Sequence, residues 1–232
     1  MILTTCGVAG IGHLGEALTK QLESKNVNVF AYHPDSNRRS EFAGMFDKVE
    51  PVDFTELLKH KVVLLALPSE VIRSFLKEAQ KEIASNGIAP NFVNLSTLID
   101  TKELQKEFPD LQIYGVKMVG HANYLYEHGD GVFITETPMD TEGFQSIRFL
   151  FEEIGKLFED NEDIVREVNG LAVRTIIEAC VQFKEETKDY RDEYSEKAMD
   201  TIFPNSMRLY REGDFDGFML KIMEEIKEKN KS

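Results

Sequence analysis

The chain has 232 residues, 42% of them hydrophobic and 29% charged, which are globular values for one standard domain plus a small one. A formal net charge of -14 repels polyphosphate backbones and anionic lipid, so nucleic acid and membrane are excluded as default partners, though a locally positive site can still take a small anionic ligand. With only Cys6 and Cys180 there is no disulfide framework; both read as buried apolar residues, and with no basic segment ahead of an apolar run the expectation is a soluble cytoplasmic protein.

Short apolar runs alternate with helical patterns through the first two-thirds. Thr4 to Ala9 reads as a strand, and Leu14 to Lys25 as a helix with Ala17, Leu18 and Leu22 on one face. Val27 to Tyr32 is a second strand and Val49 to Val52 a weak third. "KVVLLALP", Lys61 to Pro68, is apolar on both faces, as a strand between two helix layers must be. Ser69 is then expected to cap a helix carrying Val71, Ile72, Phe75 and Leu76. Asn91 to Thr97, Ile113 to Gly120 and Val132 to Thr135 supply further strands. The alternation predicts an α/β fold with right-handed crossovers and a doubly wound, mainly parallel sheet.

Strand signals end at "KLFE", and from Asn161 the chain reads as helical. Ile164, Val168, Leu171, Ile176, Ala179 and Phe183 form an apolar face, while "FPNS" (Phe203–Ser206) and "REGD" (Arg211–Asp214) are expected to interrupt the helices before a last one from Phe215. The predicted division is a sheet domain over 1–160 and a small all-helical C-terminal domain over 161–232. So short a helical segment makes a thin core, which points to packing on the sheet domain or on a second subunit, hence a homodimer.

Gly10, Gly12 and Gly15 in "GVAGIGHLGEAL" fit G-x-G-x-x-G between a strand and a helix. Gly10 permits the tight turn, Gly12 admits a pyrophosphate to the backbone, and Gly15 allows close helix–strand packing; Ile11, His13 and Leu14 complete the loop. The helix start offers free N–H groups and partial positive charge to phosphates. A dinucleotide is the expected ligand. At the end of the second strand, where NAD sites usually carry an acidic residue, stand His33 and Pro34; Asp35 lies in the turn. Ser36, Asn37, Arg38 and Arg39 follow, donors suited to a 2′-phosphate, so NADP is favoured over NAD. The competing reading makes the two arginines solvated charges at a helix start.

"GVAGIGHLGEAL", "HPDSNRR", "VVLLALP" and the block from "YGVKMVGHA" to "FEEIGKLFED" resemble the N-terminal domain shared by pyrroline-5-carboxylate reductases and deazaflavin-dependent NADP oxidoreductases. The resemblance implies a Rossmann-type domain using NADP(H) and a helical domain that dimerises in the reductases. It also implies that Ala66, Leu67 and Pro68 line the nicotinamide side, with Ser96 and Thr97 facing the same cleft; the alternatives are a helix start and a strand-end cap. The chain departs from these families further on. "EVNGLAVRTIIEA" stands where the reductases carry a Ser/Thr-Gly-Ser-Gly-Pro type segment. Gly170 is followed by Arg174, where related hydroxyacid dehydrogenases have Gly-x-x-x-Lys. Arginine can clamp a carboxylate but cannot shuttle a proton.

Among the five histidines, His60 is expected at the surface, His128 in a polar turn and His13 in the loop. His121, after "GVKMVG" and near Lys117, is the candidate proton donor at the carboxyl edge of the sheet, against a plain strand-end cap. Arg174 is the candidate substrate anchor, against an ion pair with Glu178. The spacing of histidine and cysteine gives no zinc-type signature. Two functions compete: an NADP(H)-dependent oxidoreductase acting on a small C=N or C=O substrate or a deazaflavin, and an NADP-binding protein without turnover.

Overall fold

Alternating apolar runs build β1 (Thr5–Ala9), β2 (Asn28–Tyr32), β3 (Val49–Pro51), β4 (Val62–Leu65), β5 (Asn91–Asn94) and β6 (Gln112–Gly115), and these six form one sheet in a computed structural model that describes residues 5–87 and 89–229. The order is β3-β2-β1-β4-β5-β6 with every neighbouring pair parallel. The strand order reverses between β1 and β4, a doubly wound arrangement whose ligand crevice lies at that switch. Thr4, expected to begin the first strand, lies outside the described residues.

β4 shows why the sheet is sandwiched. Val62 and Leu64 enter one core with Cys6, Val8, Leu18 and Phe151, while Val63 and Leu65 enter the other with Leu57, Ile72, Leu76 and Phe92. The helices on the two sides include α1 (His13–Ser24), α2 (Ser36–Ala43), α3 (Phe54–Leu57), α4 (Ser69–Asn86) and α5 (Thr101–Glu107). Ser69 is the first residue inside α4 and makes no cap; Pro68 occupies the N-cap, its fixed φ of -55° suited to the entry.

"IYGVKMVG" is one apolar run in sequence but two strands in space. β6 stops at Gly115, and β7 (Lys117–Val119) joins a separate three-stranded sheet with β8 (Gly131–Thr135) and β9 (Gly155–Glu159). β7 runs antiparallel to β8, and β9 parallel to it. α6 (Ala122–His128) and α7 (Gln145–Ile154) lie between these strands in the chain. Hence the expectation that His121 follows a strand of the main sheet is corrected.

Residues up to Gly170 form one compact unit and those from Leu171 a second. α8 (Asp163–Glu186) begins in the first unit, where Val165 is fully buried. The second unit holds the rest of α8, α9 (Asp192–Glu212) and α10 (Gly217–Lys229). "FPNS" does not interrupt it: α9 runs through Pro204, whose missing N–H leaves the Asp200 carbonyl to solvent on an exposed helix. "REGD" does interrupt it, with Gly213 left-handed at φ 71° and its N–H donating to Leu209 and Tyr210 carbonyls. None of the described residues of the second unit is buried, and Leu171, Ile177, Val181, Ile202, Phe218 and Ile226 are each more than half exposed.

Candidate functional site

The glycines of the first loop behave as their spacing predicts. Gly10 has φ +100°, and a Cβ there would lie 2.7 Å from the Ala66 carbonyl carbon and overlap its oxygen. Its N–H donates to the Tyr32 carbonyl at 3.1 Å, which fixes the loop to the end of β2. A Cβ on Gly15 would overlap the Gly10 carbonyl oxygen, so this contact of α1 with the loop requires glycine. Gly12 is different: nothing lies within 4 Å of where its Cβ would be. It is the N-cap of α1, without a side-chain cap, so the first N–H groups of the helix remain for an anion.

Around this loop lies a cleft of about 490 Å³, within the range of small-molecule sites. Gly10, Ile11, Gly12, His13 and Leu14 line its middle, His33, Pro34 and Arg38 one side, and Leu65, Ala66, Leu67, Pro68, Val71, Leu95 and Ser96 another. The fifteen positions of the cofactor-binding expectation thus divide into those that line the cleft and those that do not. Gly10, Ile11, Gly12, His13, Leu14, His33, Arg38, Leu67, Pro68 and Ser96 line the cleft. Ser36, Asn37, Arg39 and Thr97 do not, and Gly15 supports the loop from behind.

The end of β2 explains the split between the arginines. Asp35 caps α2, its Oδ1 accepting from the N–H groups of Asn37 at 2.9 Å and Arg38 at 3.2 Å. The Arg38 and Asn37 N–H groups hold its carboxyl below the ordinary aspartate value. Arg39 turns back, Nη1 donating to the His33 carbonyl at 2.7 Å, whereas exposed Arg38 is left facing the cleft. His33 Nδ1 accepts from the Asp35 N–H at 3.1 Å, which orients the ring at the reading position, where no acidic side chain stands.

Residues 5–88 match the family described as NADP oxidoreductase, coenzyme F420-dependent. That stretch holds β1 to β4, the glycine loop and the His33–Arg39 turn. No curated protein matches the sequence. Pyrroline carboxylate reductase of Plasmodium falciparum, solved with NADP bound, is 17% identical, with a TM-score of 0.61 over 94% of this chain and 83% of that one. An imine reductase from Myxococcus stipitatus in complex with NADP+ is 13% identical at a TM-score of 0.61, covering 90% and 75%. The 3-hydroxyisobutyrate dehydrogenase of Salmonella typhimurium is 12% identical at 0.65, covering 91% and 79%. At such identities the likeness is one of fold, a Rossmann-type sheet followed by helices.

Other expected positions fall elsewhere. His121 is exposed and caps α6, its Nδ1 accepting from the Asn123 N–H at 3.3 Å, and it does not line the cleft. Arg174 is exposed on α8 in the second unit and makes no ion pair with Glu178 among the described residues. His60 is half-buried rather than fully at the surface: it stacks on Phe30 at 3.8 Å, its Nε2 is buried without a partner, and burial lowers its pKa. His128 is the last residue of α6 rather than part of the turn that follows. Cys6 is fully buried, which pushes its thiol up to about 12, whereas Cys180 is only half-buried. Among the described residues no group of three or more His, Cys, Asp or Glu could hold a metal ion, and no helix is long and apolar enough to cross a membrane.

Sequence reasoning missed the polar groups behind Ser96. Lys117 is buried with its Nζ 2.6 Å from the Ser96 carbonyl oxygen and 3.5 Å from Glu162 Oε2. Asn169 holds the end of β7 twice, accepting from the Gly120 N–H at 2.9 Å and donating to the Met118 carbonyl at 3.1 Å. The only signal in the sequence was a lysine inside an apolar run, which must find partners if it is buried.

Proposed function

We propose that the protein is an NADP(H)-dependent oxidoreductase that transfers hydride to or from a small C=N or C=O substrate or a deazaflavin. One observation carries the reading: an uncapped helix start behind Gly12, the free arginine Arg38 and the apolar Leu67–Pro68 edge share one cleft. The loop fits a pyrophosphate because Gly12 leaves its approach open. Arg38 suits the 2′-phosphate and His33 leaves it unopposed by an acid; Ser36, Asn37 and Arg39 shape the helix turn that presents it. Leu67, Pro68 and Ser96, with Thr97 beside it, form the nicotinamide side, and when bound NADPH supplies the hydride there. The match of residues 5–88 and NADP-bound neighbours of the same fold support the cofactor assignment. Calorimetric titration tests it: NADPH binds and NADH binds more weakly, whereas equal affinities or a preference for NADH would sink the assignment.

A second reading, NADP binding without turnover, draws on the chemistry of the cleft. Its far side is lined by Leu65, Ala66, Leu67, Pro68, Leu95 and Ser96, and the Ser96 Oγ is already accepting from the Leu98 N–H. His121 follows a strand of the smaller sheet rather than of the main one, and Arg174 stands in the reading as a carboxylate anchor only. Turnover of NADPH against a panel of cyclic imines, ketones and deazaflavin separates the two readings. A His121→Ala variant that binds NADPH but loses turnover restores that residue as proton donor.

The same proposal includes a homodimer joined through 161–232, with a small-molecule substrate as the other partner and a cytoplasmic setting. The described residues from Leu171 on include none buried, so their apolar side chains stay in water unless a second copy covers them. Both cysteines are free, in keeping with a reducing compartment. Light scattering at micromolar concentration gives twice the chain mass; a monomer refutes the dimer.

A further inference from the structure

Lys117 begins β7, and four acceptors surround its ammonium group. Nζ is 2.6 Å from the Ser96 carbonyl, 3.2 Å from that of Asn94, 3.3 Å from that of Ile99 and 3.5 Å from Glu162 Oε2. The carboxylate is itself held, since Thr101 Oγ1 donates to Glu162 Oε2 at 2.8 Å and accepts from Asn94 Nδ2 at 3.1 Å. Gly115 makes room for this carboxylate, because any Cβ there would overlap Glu162 Oε1. The Ser96–Ile99 turn, the start of α5 and the residue just before α8 therefore meet at one buried cation.

Burying an ammonium costs free energy that an apolar side chain of similar length would not incur. The benefit lies in direction: three carbonyls that would otherwise repel one another are drawn onto a single point. Two of them, of Ser96 and Ile99, begin and end the turn whose first residue, Ser96, lines the far side of the cleft. An apolar replacement would leave these carbonyls without their donor while the strands on either side stayed paired.

We propose that Lys117 is a positioning residue of the cleft: its charged side chain holds the Ser96 wall where the nicotinamide half of the dinucleotide is bound and ties that wall through Glu162 to the root of α8. This rests on the reading of the cleft as an NADP(H) site. Lys117 touches no reacting atom; it acts through Ser96. The charged groups facing it are Glu162 from the segment before α8, Asp100 from the turn before α5, and Glu136 after β8, which is paired with Lys102. Burial pulls Lys117 down to about 8, against the attraction of those carboxylates. The wall therefore loses its clamp on the alkaline side of neutrality.

The test compares NADPH with 2′,5′-ADP, a probe with the adenosine and 2′-phosphate but no nicotinamide. Lys117→Met is expected to bind 2′,5′-ADP within about two-fold of wild type and NADPH about ten-fold more weakly, because only the nicotinamide half meets the displaced Ser96 wall. In the wild type the ratio of the two dissociation constants rises as pH passes through about 8, and in Lys117→Met the ratio is flat. Glu162→Gln keeps the shape but removes the negative charge, so the midpoint of that rise moves to lower pH. Equal losses for both ligands, no loss of NADPH affinity, or an unmoved midpoint in Glu162→Gln would each overturn the inference. Failure of the wild type to bind 2′,5′-ADP overturns the cofactor reading instead.

Discussion

Gly12 and Gly15 differ by three positions, and replacing each by alanine should produce opposite results. At Gly12 the backbone is extended with φ -79°, which alanine adopts freely, and the new methyl meets nothing within 4 Å. Alanine is a poorer N-cap than glycine by a fraction of a kcal/mol, and its stiffer unfolded chain offsets about as much, so stability changes by less than about 1 kcal/mol. The methyl does stand where a pyrophosphate must reach the helix N–H groups. Losing one charge-assisted contact of about 2–3 kcal/mol weakens NADPH roughly 30- to 160-fold. At Gly15 the added Cβ would overlap the Gly10 carbonyl oxygen and sit 3.0 Å from its carbon. Helix propensity favours alanine by about 1 kcal/mol, yet overpacking against rigid backbone costs about 3 kcal/mol, the upper end of the usual range, leaving a net loss near 2 kcal/mol. For a unit of this size that lowers Tm by roughly 4–8 °C. Differential scanning fluorimetry and calorimetric titration on both variants read the two effects separately. Gly12→Ala with wild-type NADPH affinity, or with a Tm as low as that of Gly15→Ala, refutes the argument.

Arg38→Ala should weaken NADPH about ten-fold in calorimetry and leave NADH within about two-fold, because Arg38 alone of the two arginines lines the cleft. Loss of both cofactors equally would count against a 2′-phosphate contact. Native protein treated with a thiol reagent at mildly alkaline pH should be modified at Cys180 and not at Cys6, whose thiol is buried and pushed up to about 12; rapid labelling of Cys6 would show that β1 opens readily. Lys117 has a folded pKa of about 8, below its ordinary 10.5, so between those values the unfolded chain binds more protons and stability rises with pH. Urea denaturation should therefore show the wild type gaining on Lys117→Met by about 1–3 kcal/mol across that window, and a falling difference would contradict the burial of the ammonium.

The sequence alone determined whatever depends on neighbours along the chain. Gly10, Gly12 and Gly15 were legible because a strand, a tight turn and a helix start are set by consecutive residues, and the φ of +100° at Gly10 follows from that turn. The two apolar faces of Val62–Leu65 likewise announced a strand buried between helix layers. The tertiary structure decided which arginine faces the cleft, since capping by Asp35 and the His33 carbonyl turn Arg39 back and leave Arg38 out. It decided that one apolar run divides between two sheets at Val116, which removed His121 from the crevice edge; strand pairing is chosen by distant partners, here β8 rather than β5. It also decided the role of Lys117, whose acceptors lie on Asn94, Ser96, Ile99 and Glu162. No local pattern records such a set, because a buried charge is satisfied by whatever the fold brings to it from remote parts of the chain.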